Sequence, residues 1–495
     1  MFNPGFDNEK YLKLQSEKIR ERISLFGGKL YLEFGGKLFD DFHASRVLPG
    51  FAPDSKIKML IELKDEAEII IAINTADIVN SKVRGDLGIT YDLDVLRLID
   101  AFRGYGLYVG SVVMTRYEEG PLANTFRDKL EKLGIKVYKH YGIDGYPYDI
   151  PLIASDDGFG KNEYAETSRS LVVVTAPGPG SGKMATCLSQ IYHESKKGIK
   201  SGYAKFETFP IWNLPLSHPV NLAYEAATAD LADVNMIDPF HLEAHGVAAV
   251  NYNRDVEVFP VLRSMLDGIL GECPYQSPTD MGVNMAGFAI YDDEAVCDAA
   301  KQEIIRRYYS CLCRIRNGNA KELELHKIEL LMRRLGITAE SRAAVLPALE
   351  KAEETDAPAV AIELNDGRIV TGKTTPLLGA SAAALLNAVK AIAGVDKEKD
   401  IISQHILMPI QKLKTENLGN HNPRLHTDEV LIALAVSAVY DEDAKRSLAA
   451  LPELRNAECH STVILSPVDE ATFRKLGVHL SCEPKYQTKK LYHNN

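Results

Sequence analysis

Residues Ser170–Gly198 constrain this chain more than any other stretch, because they spell a strand, a glycine loop and a helix in succession. Leu171–Thr175 is a short β-branched apolar run, the pattern of a strand buried on both faces. Pro177-Gly178-Pro179-Gly180-Ser181-Gly182-Lys183 follows. Met184, Cys187, Leu188, Ile191 and Tyr192 then recur at helical spacing, and Lys196, Lys197 and Gly198 supply a basic last turn and a glycine stop. Such units build parallel α/β sheets, and the turn between strand and helix is suited to anions. The helix N-terminus carries unpaired N–H groups and partial positive charge, and glycines let a phosphate approach the backbone. The expected cofactor site is therefore Gly178, Gly180, Ser181, Gly182 and Lys183, with Lys183 also a candidate catalytic cation.

The loop departs from G-x-x-x-x-G-K-[ST] at two places: Pro177 stands where the first glycine belongs, and Met184 replaces the hydroxyl that would hold Mg²⁺. The plain alternative is a turn whose glycines let helix and strand pack closely.

Alternation of strand and helix patterns extends this unit in both directions. Residues 8–27 read as a charged helix. Tyr31–Phe34, Lys58–Leu63, Glu68–Asn74, Val109–Thr115, Lys136–His140 and Gly202–Glu207 read as strands, with helices at Asp92–Gly104 and Asn124–Leu133. The expectation is a Rossmann-like α/β domain over residues 1–290, with a mixed or parallel sheet and a P-loop-like glycine loop. Helical periodicity at Gln302–Arg314, Ala320–Leu335 and Ser341–Glu354 gives a bridge over 291–355. Thr355-Asp356-Ala357-Pro358 then breaks the pattern, and a smaller C-terminal α/β domain occupies 356–495. There a strand at Ala359–Leu364 turns at Asn365-Asp366-Gly367 into Arg368–Val370. Thr371-Gly372-Lys373-Thr374 leads to a helix over Leu377–Ala393, with Thr375 as N-cap and Pro376 at N1. This is a second, weaker anion-loop candidate. Ser461–Leu465 and Val478–Ser481 read as strands flanking a helix at Glu470–Lys475.

A chain of 495 residues with net charge −11 and pI about 5.7 is ill suited to nonspecific nucleic-acid binding or to an anionic membrane surface. No apolar stretch reaches the roughly 18 residues of a membrane span, and no secretory signal is visible. Seven scattered cysteines without a CxxC suit reduced thiols. The expected setting is the cytoplasm, and the expected partner is a small anionic or phosphate-bearing ligand; a homo-oligomer is allowed.

Five further positions or clusters carry chemistry. Asp238 ends the apolar run Val234–Ile237, a Walker-B-like position for Mg²⁺ or, equally, a helix cap before Pro239. Arg254, beside Asn253, is suited to gripping a carboxylate or phosphate in bidentate fashion. Lys37, His43 and Arg46 follow the first strand and would bind an anionic substrate. Asp280 lies in a glycine-containing loop that would close over it. Glu207 ends the strand after the glycine helix, where an acid would meet the ribose of a dinucleotide.

The segments Thr175–Lys183, Asp238–Glu243, Asn251–Glu257, Val370–Thr374, Leu378–Ser381 and Asn422–Glu429 resemble a family of bacterial proteins of about this length, catalogued as a domain of unknown function. The resemblance spans nearly the whole chain. Some members have been labelled ATP-dependent zinc peptidases, but the resemblance supplies no catalytic residue. A zincin requires H-E-x-x-H on one helix face. His241-Leu242-Glu243-Ala244-His245 has the histidine spacing, but Glu243 falls midway, on the opposite face. A metalloprotease and a zinc are thus not expected, and His241 and Glu243 read instead as substrate contacts.

The function these residues point to is a nucleotide- or phosphate-binding enzyme, using ATP and Mg²⁺ for phosphotransfer or ligation on a small metabolite. The alternatives are an NAD(P)-binding oxidoreductase and a nonenzymatic nucleotide sensor or scaffold.

Overall fold

Seven parallel strands form the larger sheet: β1 (Leu30–Phe34), β2 (Ala67–Asn74), β3 (Tyr108–Thr115), β4 (Lys136–Lys139), β5 (Leu171–Thr175), β6 (Gly202–Phe206) and β7 (Gly282–Val283). Their spatial order is β7-β6-β1-β5-β2-β3-β4, and every neighbouring pair is parallel. β2 and β5 are buried almost throughout, as their unbroken apolar runs demand. The computed structural model describes residues 4–85, 87–231 and 233–487. The sheet belongs to a unit made of Pro4–Glu225 and Asp233–Val296; a second unit takes in the stretch from Ala226 and everything from Cys297 onward.

The order of the strands positions the site. The chain leaves β1 toward β2 on one side and leaves β5 toward β6 on the other. Right-handed crossovers in opposite directions put their helices on opposite faces of a sheet. A crevice therefore opens beyond the carboxyl ends of adjacent β1 and β5, the place where open α/β sheets bind ligands. The helix Lys183–Lys196 crosses from β5 to β6 and packs on β5, β1 and β6.

The second unit carries a four-stranded mixed sheet of β8 (Ala359–Glu363), β9 (Ile369–Lys373), β10 (Glu458–Ser461) and β11 (His479–Cys482), in the order β9-β8-β10-β11. Only β10 and β11 run parallel. Its core includes Val360, Ile362, Leu385, Val389, Leu434 and Phe473.

The α/β class is as the sequence indicates, with one fully parallel sheet and one smaller mixed sheet. Three local readings are corrected. Lys58–Leu63 is not a strand: Ser55–Glu62 is a helix, burying Ser55, Ile57, Met59 and Leu60 at the spacing of a helical face. The helix expected from Leu377 begins at Ala380 behind Gly379, and Thr375 instead holds a turn, its hydroxyl accepting from the amides of Leu377 and Leu378 at 3.3 and 2.9 Å. The strand expected over Ser461–Leu465 lies earlier, at β10, because its residues pair with β8 from Glu458 on. None of the seven cysteines is in a disulfide, and among the described residues no helix is long and apolar enough to cross a membrane.

Candidate functional site

The glycine loop ends on Gly182, which caps the helix Lys183–Lys196 in a left-handed conformation with φ 85°. Only glycine takes this conformation without strain. Gly180 is left-handed too, with φ 77°. Neighbouring strand ends hold the loop: Thr115 donates its hydroxyl to the Ser181 carbonyl at 2.9 Å, and Asn74 reaches the Gly180 carbonyl at 3.5 Å. Ser181 is buried and donates its own hydroxyl to the Gly178 carbonyl at 2.9 Å, so it shapes the loop from inside. Thr186 is the first residue of this helix whose amide finds an intrahelical acceptor, the Gly182 carbonyl. The amides of Lys183, Met184 and Ala185 are therefore directed beyond the helix N-terminus.

Lys183 lies where β1 and β5 end side by side. Its Nζ is 3.8 Å from Glu33 Oε1, and a methyl group on Gly35 would come within 3.8 Å of its Cε. Glu33 accepts from the Tyr203 hydroxyl at 2.8 Å and is the direct register neighbour of Lys205. Lys205 pairs with Asp255 and lies 3.1 Å from Glu207. Burial disfavours the Lys205 ammonium, but Asp255, Glu207 and Glu33 outweigh it and push its pKa up. Burial also pushes the Glu207 carboxyl up to about 7, with Asp255 adding to the push and Lys205 opposing it. One ammonium serving several carboxylates leaves Glu207 the group nearest to holding a proton at neutral pH.

A cavity of about 180 Å³ opens beside the loop, with Gly36, Phe39, Arg84, Arg97 and Ala176 in its wall. Buried Asp94 orients both arginines, meeting Arg84 at 2.9 Å and Arg97 at 2.6 Å. Arg116 follows β3 with φ 45° and an exposed side chain. Burial pushes the Tyr146 phenol up, with Glu33 adding to the push and Arg116 opposing it.

The other residues singled out from the sequence fall in different places. Lys37 is in the exposed bend after β1, and His43 and Arg46 are on the helix Phe42–Val47. His43 packs edge-on against Phe209 and Tyr224. Glu207 follows β6, which β1 separates from β5. Asp238 is fully buried and caps the helix Pro239–His245. Its Oδ1 accepts from the Phe240 and His241 amides at 3.0 and 3.1 Å, and its Oδ2 from the Thr279 hydroxyl and amide at 2.6 and 3.2 Å. Arg254 forms an exposed pair with Asp233, and the Asn253 side chain accepts from the Val234 amide at 3.0 Å. Glu243 is exposed, whereas His241, His245 and Asp280 converge. Burial pushes the His241 imidazole down, against the pull of Asp280.

Sequence reasoning missed Glu33, Lys205, Asp255, Arg84, Arg97 and Arg116. Glu33 in LYLEF and Lys205 in GYAKF had a signal, a lone charge near the end of an apolar strand. The arginines had none, because only the fold brings residues 84 and 97 beside Ala176.

Family models described as domain of unknown function DUF1846, N-terminal, and domain of unknown function DUF1846, C-terminal, match residues 4–336 and 340–492. A UPF0371 protein of Streptococcus thermophilus (strain CNRZ 1066) is 60% identical over 492 residues, covering 99% of this chain and 100% of the relative. A UPF0371 protein of Streptococcus pneumoniae (strain JJA) is 58% identical over the same length, with the same coverage. The resemblance read from the glycine loop and the Asp238 and Asn422 segments thus holds across both units, and the chain belongs to the DUF1846 family of bacterial proteins.

Proposed function

We propose that this protein binds a phosphate-bearing small molecule of the nucleotide class at the carboxyl edge of its parallel sheet, and acts on it there. The observation that carries this reading is the coincidence of a glycine-capped helix N-terminus with the switch point between β1 and β5. The phosphate would take the amides of Lys183, Met184 and Ala185, with the Lys183 ammonium adding charge stabilisation. The cavity beside the loop offers Phe39 and two arginines oriented by Asp94 for the rest of the ligand. We leave Asp238 out of this site, since its oxygens already accept four hydrogen bonds as cap and clamp.

The dinucleotide alternative stands second. It needs Glu207 on a ribose, yet β1 separates β6 from β5, so Glu207 is displaced by two strand spacings, roughly 10 Å. Its carboxyl also faces Lys205.

Calorimetry of the full-length protein with ATP, ADP, NAD, NADP and inorganic phosphate tests the reading. ATP or ADP should bind more tightly than the dinucleotides, and Lys183→Ala should weaken that binding about tenfold, the loss of one charge-assisted hydrogen bond. Binding of none of the five, or equal binding by Lys183→Ala, would overturn it. Turnover against a metabolite panel separates an ATP-dependent transferase or ligase from a nucleotide sensor.

A further inference from the structure

The histidine pair that sequence spacing left without a third donor acquires one from a segment 35 residues away. His241 and His245 are one helical turn apart on Pro239–His245, and their ring centroids lie 4.5 Å from each other. A second short helix, Pro278–Met281, begins at Ser277 and carries Asp280 to the same face. Asp280 places both carboxylate oxygens 3.0 Å from His245 Nε2, and its Oδ1 lies 3.5 Å from His241 Nδ1. One ligand atom from each residue lies within 4.8 Å of the other two. An ion held tetrahedrally at 2.0–2.2 Å spaces its donors about 3.3–3.6 Å apart. The observed 3.5 Å contact falls within that range and the 3.0 Å contact is slightly shorter.

Its surroundings hold this arrangement. Buried Asp238 ties the two helices together, one oxygen capping Pro239–His245 and the other accepting from Thr279, next to Asp280. Asn251 donates to the Thr279 hydroxyl at 3.1 Å. The Ser277 hydroxyl accepts from the Asp280 amide at 3.0 Å and lies 3.0 Å from His241 Nδ1. His241 Nδ1 thus faces both the Ser277 hydroxyl and the Asp280 carboxylate. The indole of Trp212 packs edge-on against the His241 ring.

We infer that His241, His245 and Asp280 form a binding site for one first-row divalent transition-metal ion, with Asp238 as the residue that positions it. Two imidazoles and one carboxylate are a donor set for zinc, cobalt, manganese or ferrous iron rather than for calcium or magnesium, which prefer all-oxygen shells. Three protein donors leave coordination positions open to water or to a ligand oxygen. His245 is 39% exposed at its side chain, so solvent reaches the cluster. The geometry is not that of H-E-x-x-H, because Glu243 is exposed and is not a member of the cluster.

The test uses full-length protein stripped with EDTA and titrated with cobalt(II) chloride, followed by visible absorption, with zinc(II) chloride followed by calorimetry. One equivalent of cobalt per chain should bind, give ligand-field bands, and be displaced by one equivalent of zinc. His245→Ala and the isosteric Asp280→Asn should each weaken binding at least tenfold, since even outer-shell substitutions cost ten- to a hundredfold. Circular dichroism of Asp280→Asn confirms that the fold persists. If no equivalent binds, or if binding is indifferent to both substitutions, the cluster is an ordinary hydrogen-bonded His–Asp contact and the inference fails.

Discussion

Two stretches of this chain look alike on paper and differ in the fold. Gly180-Ser181-Gly182-Lys183 and Thr371-Gly372-Lys373-Thr374 each set glycine and lysine between a strand and a helix. In the first, Gly180 and Gly182 have positive φ and form a bend ahead of a helix N-terminus. In the second, Gly372 and Lys373 lie within β9, and a Cβ on Gly372 would come within 2.1 Å of the Ala384 backbone nitrogen. There the glycine lets the helix Ala380–Ala393 press against the sheet. A glycine is needed at both places, for a dihedral angle in one and for space in the other.

Two carboxylates repeat the contrast. Burial works against the charge on Glu458, but Arg342 at 2.5 Å and His479 at 3.0 Å outweigh it and hold the carboxyl at about 2. Glu207 shares its single ammonium with Asp255 and Glu33, and burial prevails. A carboxylate with its own guanidinium is part of the framework. One left to compete for a lysine at the carboxyl edge of a parallel sheet is a group whose protonation a ligand can change.

The largest effect expected from this contrast is at Gly372. Gly372→Ala should destabilise the chain by about 3 kcal/mol, the upper end of the cost of overpacking, because the obstructing atoms are helix backbone and cannot swing aside. Urea unfolding measures it. The same substitution should leave ATP affinity unchanged, and a selective loss of ATP binding would make the second loop a ligand site and erase the distinction.

Glu207 should have the next largest effect, visible as pH dependence. Between its unfolded pKa of roughly 4.5 and about 7, the folded protein holds this proton more tightly than the unfolded chain. Its contribution to stability is therefore full below pH 4.5 and declines as pH rises through 7. Glu207→Gln should be less destabilised, relative to wild type, at pH 8 than at pH 5, by on the order of 1–3 kcal/mol. The comparison must be a difference between the two proteins, since buried His140, pushed down to about 3, tilts the common background the other way: it contributes stability above pH 6.5 that is lost as pH falls toward 3. For Glu458 the sign is reversed, with stability present above pH 4.5 and lost as pH falls through 2. A stability difference between wild type and Glu207→Gln that did not change with pH would mean that Glu207 is paired as well as Glu458.

The sheet was legible because local pattern carries it. Leu171–Thr175 and Glu68–Asn74 are apolar runs bounded by turn residues, and both are central strands. Ser55–Glu62 was misread because short apolar runs do not distinguish helix from strand, and its buried face appears only once packing selects it. The glycine loop was visible for the same local reason. What surrounds it was not: strand order puts β1 between β5 and β6 and so pairs Glu33 with Lys205. Asp280 likewise joins His245 across 35 residues that no spacing rule connects.

The smallest effect expected is at Gly180, and it addresses the loop most directly. A Cβ there meets nothing within 4 Å, so Gly180→Ala should cost only the left-handed strain, about 1 kcal/mol. Gly182→Ala should cost more, because its Cβ would also come within 2.9 Å of the Thr115 methyl. The exposed side of Gly180, three residues before Lys183, is one approach to the loop. If that approach is where phosphate enters, Gly180→Ala should weaken ATP binding several-fold, more than its modest stability cost would suggest, while Gly372→Ala, though far more destabilising, should not. Equal ATP affinity for wild type and Gly180→Ala, with Lys183→Ala still impaired, would move the phosphate off the loop backbone and onto the lysine and the arginines of the neighbouring cavity.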